Sequence, residues 1–485
     1  MRDKKVKIAI VGAGVSGSSA ALYFANIGLE VTLFEKERSI VNGPPFCHLH
    51  AGGNLYREIS DEQCVKLLKQ SIDFLRFYPF IVDYRPTVIV LPTTDPGTPE
   101  ALLPRLEMLT EQYRQLIHED PANKVLGESS AYYKLYSREE LEILKKKTLV
   151  KKPEVADEWM IPVAQNIDLD KVQFPLILVQ EYGLNLFRLA SGVTLALKES
   201  KNVTLRTETV VSNIQEEWSV GGWNVTYVQN DETKEEHFDY LINAAGFRSG
   251  KIDDLVGVEC KSMVEFKAAY ISKWDNNADT LWPEVIFHGE RGTPRGMGQF
   301  TPYPGGYFQL HGMTKEITLY EDGLVANSVV SCQPHLKQNF MTKIERSWSE
   351  EEINERTRSA ITHLSQFIPE FSEATVGSKP LFGAQQIPGS DPTLRVAEVS
   401  FPTKRYARCE IVKVSSSLDM IDAITQQLID LGYLEPSVKG KREIKVLKSL
   451  DDNTITKYGE VLCEEREYPR DLAHRNVSNV PCTKQ

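Results

Sequence analysis

The sequence predicts an α/β protein in two parts: a parallel-sheet domain built from βαβ units and discontinuous along the chain, and a second domain of mostly antiparallel β-sheet with helices. Three observations predict it. Lys7 to Lys36 reads KIAIVGAGVSGSSAALYFANIGLEVTLFEK, a strand, a glycine turn, a helix and a second strand. Phe238 to Ser249 runs an apolar strand straight into Ala244-Ala245-Gly246. From Val264 to Val330, short β-rich runs (AAYISKW, EVIFHG, MGQFTPYPGGYFQLHGM, ITLY) alternate with Gly and Pro.

In the first stretch, Val6, Ile8, Ile10 and Val11 form the apolar run of a buried parallel strand, and Gly12-Ala13-Gly14-Val15-Ser16-Gly17 follows without a gap. Gly12 permits the tight turn, Gly14 lets main chain approach a pyrophosphate, and Gly17 lets helix and strand pack. The N–H groups of the helix start, from Val15 and Ser16, then face the anion. Ser18 to Asn26 reads as the helix, with Gly28 at its stop. Glu35, at the end of the second strand and followed by Lys36, is placed to accept hydrogen bonds from an adenosine ribose, and an acid there argues against a 2′-phosphate.

Composition bounds the rest. At 485 residues the chain exceeds what one core serves, and 41% hydrophobic with 25% charged residues is ordinary for a globular protein. A net charge of -11 argues against nucleic-acid binding. No apolar run is long enough to span a bilayer, and MRDKK enters the first strand directly, so a cytoplasmic protein is expected. Seven scattered cysteines (Cys47, Cys64, Cys260, Cys332, Cys409, Cys463, Cys482) indicate neither a disulfide framework nor a zinc site.

Along the chain, Arg38 to Asn54 (containing GPPFCHLHAGGNLY) reads as a loop leaving the second strand on the ligand side. Helices are expected at Asp61 to Tyr78, Pro99 to His118 and Ser137 to Lys147, the last capped by Ser137. Lys145 to Lys152 is a basic run, read as solvated surface or as a contact for acidic lipid or a partner. Leu186 to Leu197 is an amphipathic helix followed by strands from Val203 and Trp223, and Trp348 to Phe367 is another helix. Glu410-Ile-Val-Lys-Val enters Ser415-Ser416-Ser417-Leu418, which caps a helix reaching Leu431. The mixed, charged residues 435–485 read as a peripheral appendage.

A single dinucleotide motif, a second nucleotide-facing strand near residue 240 and a helix start near residue 415 wrap one extended ligand. That favours flavin over nicotinamide, since enzymes that take NAD(P)H as co-substrate usually carry a second glycine motif. Together with VKVSSSLDMIDAI, these segments resemble the flavoprotein superfamily of D-amino-acid oxidase type, nearest the branch of L-2-hydroxyglutarate oxidases and malate:quinone oxidoreductases. The matching segments are His50-Ala51-Gly52, Gly383-Ala384-Gln385 and Ser415 to Leu418, and the resemblance covers roughly residues 6 to 434. The chain departs from the family where an Arg usually precedes Ala-Gln, and where three serines replace a glycine-rich helix entry.

The resemblance implies FAD, held by Gly12, Gly14, Val15, Ser16, Gly17, Glu35, Lys36, His50, Ala51, Gly52, Val210, Ala245, Gly246, Gln385, Ser415, Ser416, Ser417 and Leu418. Residues 1–90, 176–260 and 380–434 are then the FAD-binding domain, and 91–175 and 261–379 the substrate or cap domain. The reaction implied is hydride transfer to flavin N5 from a small 2-hydroxy acid, with electrons passed to oxygen or a quinone. A hydroxyl proton needs a base of near-neutral pKa, which points to His50 and His311. A covalent bond from His50, His48 or Cys47 to the flavin stays open. The planar fork of an Arg suits a carboxylate, and Arg295 with the hydroxyls of Tyr303 and Tyr307 are the first candidates, ahead of Arg248, Arg57 and Arg408. An amine or amino-acid oxidase, a non-catalytic flavin-binding protein, and a peripheral enzyme that meets quinone at a membrane surface are the competing readings.

Overall fold

The computed structural model describes residues 5–53, 59–394 and 396–478, and Arg57 lies outside them. Lys7–Val11 pairs in parallel with Glu30–Phe34 on one side and Tyr240–Asn243 on the other. Val203–Arg206 extends the sheet beyond the former, and Tyr406–Cys409 beyond the latter, followed by the antiparallel pair Val399–Ser400, giving six strands. The sheet is buried on both faces because its strands alternate. Ile8 and Ile10 enter a core shared with the helices Val15–Asn26, Asp61–Phe77, Leu186–Glu199 and Ser417–Asp430. Ala9 and Val11 point the other way, onto Trp223, Val225 and Tyr227 of the antiparallel sheet formed by Thr209–Glu216, Trp223–Gln229 and Glu232–Phe238.

A second, nine-stranded sheet carries most of the remaining chain. Ser262–Lys273 pairs antiparallel with both Tyr307–Gly312 and Thr375–Pro388, and Gly298–Pro302 and Glu284–Phe287 continue outward. Its core is aromatic: Phe300 stacks on Phe308 at 4.3 Å, and Phe371 meets both edge-on. Thr87–Val90 and Leu176–Val179, placed within the nucleotide-binding portion by sequence, join this larger sheet instead, Thr87–Val90 pairing in parallel with Glu284–Phe287. Short strands buried on both faces, TVIV and LILV, suit either sheet equally, and pairing decides between them. ITLY is a turn and not a strand: Ile317 is buried, and Thr318 Oγ1 accepts from the Gly312 N–H at 3.1 Å.

Helix ends follow local chemistry. Ser60 accepts from the Gln63 N–H, and Ser137 and Glu140 form a reciprocal capping box. The helix Ser417–Asp430 differs from expectation. It starts at Ser417 without a side-chain cap, because the Ser416 hydroxyl turns to donate to Gln70 Oε1 (3.0 Å). The basic run at Lys145 to Lys152 is largely exposed.

The C-terminal segment is not a peripheral appendage. Asp452–Glu465 buries Ile455, Gly459, Leu462 and Cys463, four positions on one helical face, against Leu186–Glu199. Leu472 and Ala473 are fully buried, and Asn185 donates to the carbonyls of Leu472 (2.8 Å) and His474 (2.9 Å). Arg466 reaches back to the loop after the second strand, donating to the Ile40 carbonyl at 2.8 Å. Leu472→Ala should therefore lower the free energy of unfolding by about 2–5 kcal/mol. Urea denaturation checks this, and an unchanged midpoint would show that the segment lies outside the cooperative core.

Candidate active site

The two sheets meet along one cleft enclosing about 1770 Å³ of atom-free space, part of it open to solvent. One end is built by the glycine turn. Gly12, at φ +100°, donates its N–H to the Phe34 carbonyl, and a Cβ there would sit 2.4 Å from the Ala244 carbonyl oxygen. At Gly17 a Cβ would lie 1.9 Å from the Gly12 oxygen. At Gly14 the position of a Cβ is open, and Gly14, Val15 and Ser16 line the cleft. The helix N-terminus at Gly14 has no side-chain cap, so its N–H groups face the opening. Glu35 Oε2 accepts from the Ala13 N–H at 2.8 Å, tying the second strand to the turn, and burial raises its pKa. A dinucleotide fits this set: a turn with no side chain, free helix-start donors, and a carboxylate beside it.

The cleft continues past Gly246, Gln385 and Ser415 to His50. The other expected cofactor residues divide. Ala245 packs on Gly12, and a Cβ on Gly52, at φ +97°, would meet Cys64 of the following helix at 2.8 Å, so Gly52 and the fully buried Ala51 shape the loop from behind. Ser416, Ser417 and Leu418 are buried away from the opening. Lys36 is exposed and pairs with Glu37, and Val210 is 52% exposed on the strand whose Thr209 N–H reaches the Glu35 carbonyl at 2.9 Å.

The far wall is the nine-stranded sheet. Glu265, Lys267 and Ala269 project into the cleft from alternate positions of Ser262–Lys273, and the cross-strand partners Gln299 and His311 join them. Glu265 pairs with Lys267 and, at 2.7 Å, with Arg291. Burial would raise the Glu265 carboxyl, but Lys267 and Arg291 outweigh it and hold it below the usual range. Two cations thus share one acid, leaving this wall net positive. Burial, with Lys267 and Arg291 beside it, lowers the His311 pKa to about 3. Burial and Lys413 hold His50 well below its ordinary value. Both imidazoles are therefore neutral at neutral pH.

The predicted carboxylate ligands are not brought together here. Arg295 is exposed and absent from the lining, whereas Arg291 of the same loop, itself 47% exposed, lines the cleft rim through its pair with Glu265. Tyr303 is buried behind the wall, its hydroxyl donating to Gln309 Oε1 at 3.2 Å. Tyr307 lies under Lys273 Nζ, 4.1 Å from the ring centre, also outside the lining. Arg248 pairs with Glu345, and Arg408 is fixed between Asp253 and Glu410. Lys267, Arg291, Gln299 and Lys413 escaped sequence reasoning. The alternation E-F-K-A-A after Val264 was the available signal for the first of them.

An open glycine turn on a parallel sheet, facing a second sheet across one long cleft, defines a dinucleotide-dependent redox enzyme. The chain belongs to the FAD dependent oxidoreductase family, whose profile matches residues 7–392. Its cofactor is FAD. No curated protein matches the sequence. Among solved structures it is similar to an L-amino acid deaminase from Proteus vulgaris (TM-score 0.57, 13% identity, covering 90% of this chain and 97% of that one). It is also similar to a glycerol-3-phosphate dehydrogenase from Bacillus halodurans complexed with FAD (0.56, 12%, 97% and 74%). A third is L-proline dehydrogenase from P. horikoshii (0.54, 15%, 89% and 100%). At such identities the likeness shows the fold.

Gly14→Ala and Gly17→Ala separate cofactor contact from packing. Gly14→Ala should fold with unchanged apoprotein stability and lose FAD affinity, while Gly17→Ala should lose both. Flavin absorbance per chain and thermal unfolding of each variant read the difference; equal loss of stability in the two would contradict it.

Proposed function

We propose that the chain oxidises a small 2-hydroxy acid and passes the electrons to oxygen or a quinone, and that within its family it stands nearest the L-2-hydroxyglutarate oxidase and malate:quinone oxidoreductase branch. The observation that carries the reading is a net positive wall, Lys267 and Arg291 with only Glu265, on the same cleft as two neutral imidazoles. Arg291 and Lys267 would hold the carboxylate of the substrate, and His50 or His311 would take the hydroxyl proton as the carbon is oxidised. Bound FAD supplies the two-electron acceptor. Gln299 and Gln309 offer amide groups that orient a hydroxyl without adding charge. The site takes a small molecule. No described helix is long and apolar enough to cross a membrane, and the acidic composition fits a cytoplasmic location.

A neutral base accepts a proton only above its own pKa, and both imidazoles are held below the ordinary histidine value, so flavin reduction should stay fast through neutral pH and on the acid side of 6.5, falling only at lower pH as imidazole protonates. Rapid mixing with 2-hydroxy acids under anaerobic conditions measures it. In the same assay His50→Ala or His311→Ala should slow reduction about 100-fold or more. Unchanged rates in both, or reduction only by 2-amino acids, would replace this reading by that of an amine oxidase.

Arg291→Ala should raise KM for the hydroxy acid about 10–100-fold, while Arg295→Ala leaves it unchanged. Steady-state kinetics of the two variants decides between the positions.

A further inference from the structure

Behind the loop that carries His50 lies a buried line of charge. Arg85 Nη1 donates to Glu284 Oε2 at 2.6 Å, and Glu284 Oε1 lies 2.5 Å from His48 Nδ1. Gln299 Nε2 donates to the same Oε1 at 2.6 Å, and Asp83 stands 3.6 Å from Arg85 Nε. Arg85, Glu284 and His48 are 2%, 0% and 4% exposed. A carboxylate removed from water persists only when paired and hydrogen-bonded, and Glu284 has a cation on each oxygen. Burial would neutralise both Glu284 and His48. Their mutual attraction outweighs it, helped at Glu284 by Arg85 and at His48 by Cys47, keeping the carboxyl low and the imidazole high.

The His48 ring stacks on His50, with centroids 4.7 Å apart and planes 23° from parallel. A cation face to face with a neutral ring is favourable, and a second positive charge at that spacing is not.

We propose that Glu284 and His48 are positioning residues for His50: the carboxylate keeps His48 cationic, and the stacked cation keeps His50 neutral with its ring plane fixed along the cleft. This rests on the reading that His50 stands on the substrate-facing wall. Other charges act on the same ring. Burial acts most strongly; Lys413, from the turn before the helix Ser417–Asp430, works in the same sense as His48, and the carbonyls of His48 and Leu49 work against it. Lys267, Arg291, Glu265 and His311 line the same cleft from the opposite sheet. Glu181, which accepts from the Gly53 N–H at 2.7 Å, lies within electrostatic reach of His48.

The test uses holoenzyme labelled with ¹³C-histidine, titrated by NMR, with the His50 resonance assigned through His50→Gln. In the native protein the His50 midpoint should lie well below the ordinary imidazole value of about 6.5. In Glu284→Gln, His48 loses its counter-charge and discharges, so the His50 midpoint should rise, though burial and Lys413 still hold it below 6.5, and the acid limb of kcat/KM should move with it. His48→Gln removes the same cation while it can still donate to Glu284, and should give the same rise. Should Glu284→Gln fail to retain FAD, His48→Gln carries the measurement. A native His50 that titrates near 6.5, or a midpoint unmoved in a variant that keeps its FAD absorbance, overturns the proposal. A His50→Ala enzyme that still reduces flavin would instead overturn the role of His50 as base, and leaves the titration result standing.

Discussion

The contact between Gly12 and Ala244 fixes where everything else in this protein goes. Backbone of the first turn lies so close to the end of the Tyr240–Asn243 strand that a Cβ at Gly12 would stand 2.4 Å from the Ala244 oxygen. Only with no side chain at Gly12 and none larger than a methyl at Ala244 and Ala245 can two parallel strands end side by side and leave an open mouth above them. The helix Val15–Asn26 then starts at that mouth with uncapped N–H groups, and the loop after the second strand must pass in front of it. From this constraint the position of His48 and His50 follows.

Two cores meet at the cleft and serve different ends. The core between the parallel sheet and its helices mixes aliphatic side chains with the rings of Phe74, Phe77, Tyr78 and Phe80, while the second sheet is packed by stacked aromatic rings and turns its polar positions toward the opening. Polar groups on that wall are balanced by one another: Glu265 between two cations, Glu284 between Arg85 and His48. Burial magnifies each of these attractions, so charges that would be weak partners in water hold fixed protonation states beside the site. The two neutral imidazoles sit among them as the groups left able to accept a proton.

Legibility in the sequence tracked locality. The first βαβ unit, the capping of the helix after Ser137 and the strand ending in Ala-Ala-Gly were readable because each is decided within a few turns of chain. The sparse face of Asp452–Glu465 was overlooked, since Ile455, Gly459, Leu462 and Cys463 are spread among eight polar or charged residues. The strands at Thr87 and Leu176 carry no mark of which sheet they join, because a short, mostly apolar strand of four residues is buried on both faces in either.

By itself the sequence determined the cofactor class, since glycine spacing and one acid specify a diphosphate and a ribose through backbone geometry alone. It also singled out His50 and His311, from a motif and from a β-rich run, and both line the cleft. Only the tertiary structure decided which arginine faces the cleft, because Arg291 and Arg295 share one loop and it is Arg291 that pairs with Glu265. It alone paired Glu284 with His48 across 236 positions of chain. Electrostatics of that kind depends on distance in space and on exclusion of water, and neither is written in the order of residues.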